Sequence, residues 1–462
     1  MSIPTVLVLP FPAQGHVNPL MNLSKKLVKN GCKVIFVNTD FNHKLLMSTM
    51  KKQQQLDDSF NGALKLVSVP DGLSHEEDRT DFAKLCEAML NTMPNMLENL
   101  IKDICLNDDC RISCIVADVN MGWGLNVGSK FGINGALFWS SAAAMFALVY
   151  NIPKLIEDAI IDSNGLSATR KVFQLSPNMP MMDTEALVWS NVAADSISLK
   201  KVFNYIKHCS HTTRLSNWWL CNTTYELEPR PLSFLPKLLP IGPLLNNYEN
   251  KSEKESIGQF WEEDLSCMSW LDQQEINSVV YVAFGSFSFT LFDKNQFKEL
   301  ALGLDLTNRH FLWVVRDQDQ DSNKMMKFPS EFKGYKGKIV KWAPQQKVLG
   351  HPSIACFISH CGWNSTLEGL SNGVPFLCWP YFSDQFYDKT YICEELKVGL
   401  GFEKDENGLV LSEEIKKKVD QLLGDENIRL RSMDIKKKVM RNLAQGGGSS
   451  ENFNRFVEWL KE

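Results

Sequence analysis

A six-residue apolar run, Ile354 to Ser359, stops at His360-Cys361-Gly362-Trp363, and Asn364-Ser365-Thr366-Leu367-Glu368 then opens a helical pattern. An apolar run of this length reads as a parallel strand buried on both faces, and parallel strands need crossover helices. A strand that ends in a small-residue turn and feeds a helix aims unpaired backbone N–H groups at whatever lies above the strand end. That place suits a phosphate. Asn364 and Ser365 add side-chain partners there, and His360 sits at the strand tip. Glu368 lies four residues after Asn364, on the same helix face. A carboxylate there repels phosphate, so it reads as an acceptor for sugar hydroxyls.

The flanks extend the pattern. Trp342 precedes Ala343-Pro344 in a loop, and a ring beside a phosphate site can stack on a base. Asp384-Gln385 pairs an acceptor-only group with a donor-acceptor group, suited to reading the hydroxyls of a bound sugar. Each of these residues alone also reads blandly, as loop packing, a structural strand-end histidine or a solvated helix start. Their joint occurrence in order carries the site reading.

The chain repeats the strand–turn–helix theme from its start. Thr5 to Leu9 is apolar, PFPAQGH follows, Val17 to Lys29 has helical spacing, and Lys33 to Val37 is the next strand. This βαβ opening lacks G-x-G-x-x-G, so it carries no dinucleotide fingerprint. It sets His16, beside Gly15, at the carboxyl end of the first strand, where open α/β sheets bind ligands. Leu64–Val69, Ser113–Ala117 and Gly135–Trp139 are further strands, and Asp118 stands just past one of them. Strand ends cluster along one sheet edge, so Asp118 can meet His16 and stabilise its protonated form. The alternative is an N-cap for a helix starting near Met121. Trp218-Trp219 reads as strand core. The Met-rich stretch Ser176 to Asn191 has no clear period and reads either as a wall of an apolar pocket or as a loop on its own core.

At 462 residues the chain exceeds one ordinary core, and two domains are expected. Residues 246–257 have a linker's composition, so the expected division is 1–245, a linker at 246–257, and 258–445. A second sheet starts at Ser278–Phe284 with Gly285-Ser286 after it, which makes Ser286 another candidate phosphate contact. Asp293 is placed to cap a helix running to Leu306, His310–Val315 is a strand, and 384–396 and 412–423 are helical. Ser449-Ser450-Glu451 is placed to cap a final amphipathic helix, Asn452–Lys461. Net charge is −5, without the basic excess that would recruit nucleic acid or an anionic membrane. The 12 Cys show no CxxC pair and read as buried thiols of a reducing compartment. The N-terminus does not read as a signal peptide, and the apolar stretch Gly135–Tyr150 falls short of the roughly 20 residues of a membrane span. A soluble, cytoplasmic protein is expected. Asp317, Asp319 and Asp321 form a D-x-D-x-D array, but without the Gly and distal Glu of a calcium loop it reads as a solvated loop.

From Trp342 to Gln385 the sequence resembles the donor-binding signature of plant family 1 UDP-sugar-dependent glycosyltransferases. The match runs through WAPQ, HPSI, HCGWNS, the Glu of TLEG, GVP, WP and DQ. Ala355 and Phe376 are small departures. The resemblance implies an α/β fold of two facing Rossmann-like domains (GT-B), each a mostly parallel sheet with helices on both faces. In it, residues 446–462 pack back on the first domain. It adds Ala343, Gln345, Gly362 and Trp363 to the donor site, and Ser140, with Ser141 second, as a hydroxyl touching the sugar. It makes His16 the general base and Asp118 its partner. The acceptor pocket is expected around Gly15, Met121, Trp139, Met182, Trp189 and Tyr381. The implied reaction is inverting transfer of glucose from UDP-glucose to a hydroxyl of a small lipophilic acceptor, a flavonoid, other phenolic or terpenoid, giving a β-glucoside. No metal or cofactor is expected, nor a nucleic-acid partner or stable membrane insertion, and the chain is expected to act as a monomer. A sugar-nucleotide epimerase of the same architecture is the alternative; it needs no apolar acceptor pocket. A binding module would have no reason to hold both His16 and Asp118 at strand ends.

Overall fold

The computed structural model describes residues 3–52, 62–74, 77–107, 111–193, 195–245, 258–286, 293–316 and 328–462. The 246–257 linker and the Asp317–Asp321 array lie outside the described residues. The chain divides into two compact units, Met1–Trp261 with Asn442–Glu462, and Glu262–Arg441.

The first unit is built on a seven-stranded sheet. Its strands are β1 (Thr5–Leu9), β2 (Lys33–Thr39), β3 (Leu64–Val69), β4 (Ile112–Asp118), β5 (Asn134–Trp139), β8 (Trp218–Cys221) and β9 (Leu238–Pro240); β6 (Val172–Phe173) and β7 (Met182–Asp183) form a separate small ribbon. The order is β3-β2-β1-β4-β5-β8-β9 and every pairing in it is parallel. The order reverses between β1 and β4, which makes a crevice at their carboxyl ends. Register sets Leu9 against Ala117 and Asp118 against Phe138. Thr5–Leu9 is buried throughout, as its uninterrupted apolar run requires.

The terminal helix Gly448–Lys461 sends Phe453, Phe456, Val457 and Leu460 into the core that holds Val6, Val8, Val17 and Phe36. Its N-cap is Gly447, with no side-chain cap, so the expected Ser449-Ser450-Glu451 cap is corrected: those residues already lie inside the first turn. Two expected boundaries also move. Residues 258–261 belong to the first unit because Gln14 grips them: its amide donates to Gly258 O (3.0 Å) and accepts from Phe260 N (3.0 Å), and Phe260 is in the same core. The chain returns to the first unit at Asn442, whose amide donates to Glu226.

The second unit is a six-stranded sheet of β10 (Val279–Ala283), β11 (His310–Val314), β12 (Gly337–Val340), β13 (Ile354–Ser359), β14 (Phe376–Cys378) and β15 (Gly399–Gly401). Its order is β12-β11-β10-β13-β14-β15, again all parallel. Here the reversal falls between β10 and β13, where Ala283 pairs with Ser359. Asp293 caps the helix Lys294–Leu306 by accepting from Gln296 N (2.8 Å). The helix expected over 384–396 is instead Gln385–Thr390 followed by a π-turn, Tyr391–Glu395. Among the described residues, no helix is long and apolar enough to cross a membrane.

Candidate active site

In the first unit, three strand ends converge on one imidazole. The helix Gln14–Lys29 starts earlier than its apolar periodicity suggests, so His16 sits on its first turn, just after β1. His16 Nδ1 lies 2.7 Å from Asp118 Oδ2; the carboxylate is buried and the imidazole about a quarter exposed, at 25%. Ser140 Oγ, at the end of β5, is 2.9 Å from the same Nδ1. Phe11 packs edge-on against the ring at 5.2 Å. A proton on Nδ1 shared by these oxygens leaves the basic lone pair on Nε2.

Asp118 also caps the turn Val119–Met121, its Oδ1 accepting from Asn120 N at 2.8 Å. The cap and the imidazole partner are therefore not alternatives, because each takes one oxygen. Tyr205 steadies the same turn by donating to Asn120 O (2.6 Å). Neither Phe11 nor Tyr205 carried a role in the sequence reading. The position of Phe11 within PFPAQGH was the available signal for it.

The expected acceptor residues separate. Gly15 is exposed beside His16. Met121 and Trp139 are buried behind the site, Met121 sulfur taking the Tyr205 hydroxyl at 3.7 Å and Trp139 Nε1 donating to Ala142 O at 2.7 Å. Met182 is buried in the small β6–β7 ribbon. Trp189 corrects the expectation: it is 1% exposed, its indole donates to Gly165 O (2.8 Å), and its ring packs on Phe203. It belongs to its own core. Tyr381 lies in the second unit, where its hydroxyl donates to Phe284 O (2.8 Å).

In the second unit, β13 ends at Ser359, and the turn passes through Cys361 at φ +68. Ser359 Oγ accepts from Cys361 N (3.0 Å) and holds this left-handed residue, which a non-glycine adopts at a cost. Gly362 is the N-cap of Trp363–Asn372. His360 is buried between two glycines: a Cβ on Gly285 or on Gly362 would stand 2.6 Å from its Nε2. Among the described residues its buried Nδ1 has no hydrogen-bond partner. Burial draws His360 down to about 4, against a contact with the Ala283 backbone, so the ring is neutral at pH 7. An orphaned buried polar atom beside a helix N-terminus is a candidate contact for a polar ligand.

Gln345 ties the helix to the loop. Its amide donates to Ser365 Oγ and to Glu368 Oε2, both at 2.7 Å, and its carbonyl accepts from Tyr281 (3.2 Å). Burial pushes the Glu368 carboxyl up to about 7, with the Gln345 bond pulling the other way. Trp342 is half-buried and its carbonyl accepts from Asp264 N (2.9 Å); Ala343 is buried behind it. Trp363 is 2% exposed, so its indole is core and it has only its backbone N–H to offer a ligand. Asn364 and Asp384 are half-buried. Gln385 is buried, and its carbonyl already accepts from Tyr381 N and Phe382 N (3.0 Å each). The Ser286 carbonyl accepts from Arg316. Among the described residues, no three His, Cys, Asp or Glu side chains gather as a metal site.

The chain is similar to known proteins. The family model described as UDP-glucoronosyl and UDP-glucosyl transferase matches residues 212–436, and that of a glycosyltransferase N-terminal domain matches 3–57. UDP-glycosyltransferase 83A1 of Arabidopsis thaliana is 42% identical, over 100% of this chain and 97% of its own. 7-Deoxyloganetin glucosyltransferase of Gardenia jasminoides is 33% identical, over 98% and 96%. Among solved structures, a UDP-glucosyltransferase from Polygonum tinctorium, capable of glucosylating indoxyl and complexed with 3,4-dichloroaniline, superposes with a TM-score of 0.83. It covers 100% of both chains at 23% identity, a likeness of fold.

Proposed function

The chain belongs to the plant family 1 UDP-glycosyltransferases of the GT-B fold, and on that premise we propose that it moves glucose from UDP-glucose to a hydroxyl of a small lipophilic acceptor, with inversion. The observation that carries this reading is the His16–Asp118 contact at 2.7 Å; a proton placed on Nδ1 makes Nε2 the basic nitrogen. A phenol has a pKa near ~10, so it reacts faster if its proton leaves as it attacks. The acceptor O–H passes its proton to His16 Nε2, its oxygen forms the new bond to the anomeric carbon, and UDP departs with the electron pair of the broken bond. Asp118 stabilises the imidazolium that forms. Attack opposite the leaving group turns an α-linked donor into a β-glucoside.

The second unit holds the donor. Trp342 stacks on the uracil, Glu368 takes the ribose hydroxyls, and His360, Ser365, Asn364 and the N–H groups at Gly362–Trp363 take the diphosphate. A neutral His360 donates a hydrogen bond there without adding charge. These donors and the helix N-terminus replace a metal ion, so none is needed. Asp384 and the NH₂ of Gln385 meet the sugar hydroxyls, and the glucosyltransferase activity in the Gardenia relative's name supports glucose. The 11 free cysteines among the described residues suit a reducing cytoplasm. Family membership leaves the epimerase alternative without support.

The experiment is release of UDP from UDP-glucose with and without a mixed set of plant phenols and terpenoid alcohols, with product mass detection. Acceptor-dependent UDP release with a hexose added to the acceptor is expected. UDP-glucose left intact with every acceptor, or converted to UDP-galactose, overturns the reading.

A further inference from the structure

The helix Ala143–Tyr150 starts without local support. Residues Ala143 to Val149 are all buried, and Ala142 at the N-cap has no side-chain acceptor. The first N–H groups of a helix have no intrahelical partner, and burial withholds them from water. Glu228, 85 residues further along, supplies the acceptor: Ala143 N–H donates to its Oε2 at 2.8 Å and Ala144 N–H to its Oε1 at 3.1 Å. Glu228 is itself fully buried. No role in binding or chemistry has so far fallen to it.

The turn that enters this helix is Trp139-Ser140-Ser141-Ala142, and it carries the hydroxyl that touches His16 Nδ1 at 2.9 Å. Trp139, Cys221 and Glu228 pin that turn. Trp139 closes it onto Ala142 O, the Cys221 thiol reaches Ser141 O at 3.7 Å, and Glu228 grips the two N–H groups that follow. Of the three, only Glu228 fixes where the helix begins. Ala142 is fully buried, so solvent cannot substitute if the carboxylate is lost.

We propose that Glu228 is a positioning residue for the transfer: its carboxylate clamps the start of the helix Ala143–Tyr150 and so holds the Ser140 hydroxyl against the imidazole of His16. The proposal rests on the reading of His16 as the base. With the clamp in place, Ser140 and Asp118 share the Nδ1 proton and keep the lone pair on Nε2. Without it the turn is free to shift, Ser140 withdraws, and Asp118 alone orients the ring. Burial lifts the Glu228 carboxyl to about 7, with the Ala143 N–H pulling the other way, so the fold keeps a costly group whose two oxygens match two N–H donors, where an amide would match one.

The test follows the His16 ring nitrogens by ¹⁵N NMR through a pH titration of the full-length protein, alongside kcat and donor KM. The samples are wild type, Glu228→Gln, Ser140→Ala, the double variant, and Glu228→Gln with Ala142→Ser. Serine at 142 gives the helix a local N-cap in place of the carboxylate. Either single change is expected to shift the His16 titration downward by about half a unit and to lower kcat roughly three- to tenfold, with donor KM unchanged. The double variant is expected to shift no further than Ser140→Ala, because the two act as one unit. Ala142→Ser is expected to return the titration to its wild-type position. That last sample also serves if Glu228→Gln alone does not fold. An unmoved His16 titration in Glu228→Gln, additive shifts in the double variant, or a shift that persists with Ala142→Ser overturns the proposal, the last because it would mark a through-space charge effect. If no acceptor elicits UDP release and the titrations still move together, the positioning role stands and the transferase reading falls.

Discussion

His16 and His360 each lie at the carboxyl end of the central strand pair of a parallel sheet, yet their surroundings differ in everything that sets the charge of an imidazole. His16 is about a quarter exposed, with a buried carboxylate at 2.7 Å. His360 is buried between Gly285 and Gly362, and burial draws it down to about 4. A carboxylate partner favours the imidazolium, and desolvation opposes it. One ring is part-exposed and has a carboxylate to share a proton with. The other is held neutral. Strand-end position alone does not assign a histidine its work; the carboxylate and the depth of burial do.

The sharpest break is at the first ring. His16→Ala is expected to lower kcat by about 10²–10⁴ with a phenolic acceptor, the usual worth of a general base. Asp118→Asn is expected to fall in the same range, and the double variant to cost little more than His16→Ala, since a coupled pair is not additive. UDP affinity, measured by calorimetry, should stay near wild type in all three.

The second ring is probed through acid stability. Its folded value of about 4 lies below the unfolded 6.5, so the unfolded chain binds the proton first. Its contribution to stability is therefore present above pH 6.5 and lost as pH falls toward 4, a loss of about 3 kcal/mol. Glu228 and Glu368, both raised from 4.5 to about 7, run the opposite way, gaining stability as pH falls from 7 to 4.5. The histidine's share is read as the difference in denaturant midpoint between wild type and His360→Gln across this range. Parallel curves for the two proteins contradict the assignment.

Two smaller effects sharpen the donor side. Trp342→Ala is expected to weaken UDP-glucose binding by about 1–3 kcal/mol through lost stacking, with acceptor KM little changed; a rise in acceptor KM alone places the ring in the other pocket. The wild type is expected to prefer UDP-glucose to UDP-galactose in kcat/KM, and Gln385→His to narrow that gap a few-fold. The effect is the smallest because the Gln385 carbonyl is occupied by Tyr381 and Phe382, so the change also disturbs the loop.

The two sites were not equally legible. The donor groups lie within one stretch, Trp342 to Gln385, where strand, turn and helix follow each other and the spacing itself encodes the geometry. Ile354–Ser359, Thr5–Leu9 and Leu64–Val69 form strands over the residues their apolar runs mark, because turn residues bound each run sharply. The base site is assembled from positions 102 and 124 residues apart, so its contacts depend on strand order. The pairing of His16 with Asp118 followed from strand-end logic, whereas the placement of Ser140 on the imidazole depended on where a helix begins. Asp118 was posed as either a cap or a partner because sequence does not count carboxylate oxygens separately. Trp189 misled because a Met- and Trp-rich loop has the same composition whether it lines a pocket or packs on itself. Helix starts were the least legible: Pro-Ala-Gln-Gly reads as loop, yet Gln14 already opens a helix.

The most direct test of His16 as the base of a single displacement is the anomeric configuration of the glucoside that the wild type makes from α-linked UDP-glucose. It is read from the H1–H2 proton coupling of the product, with the His16→Ala rate measured on the same acceptor. A β-glucoside, with the His16→Ala rate down by at least ~10²-fold, is the expected result. An α-glucoside, or a His16→Ala enzyme that glucosylates the phenol at the wild-type rate, contradicts it.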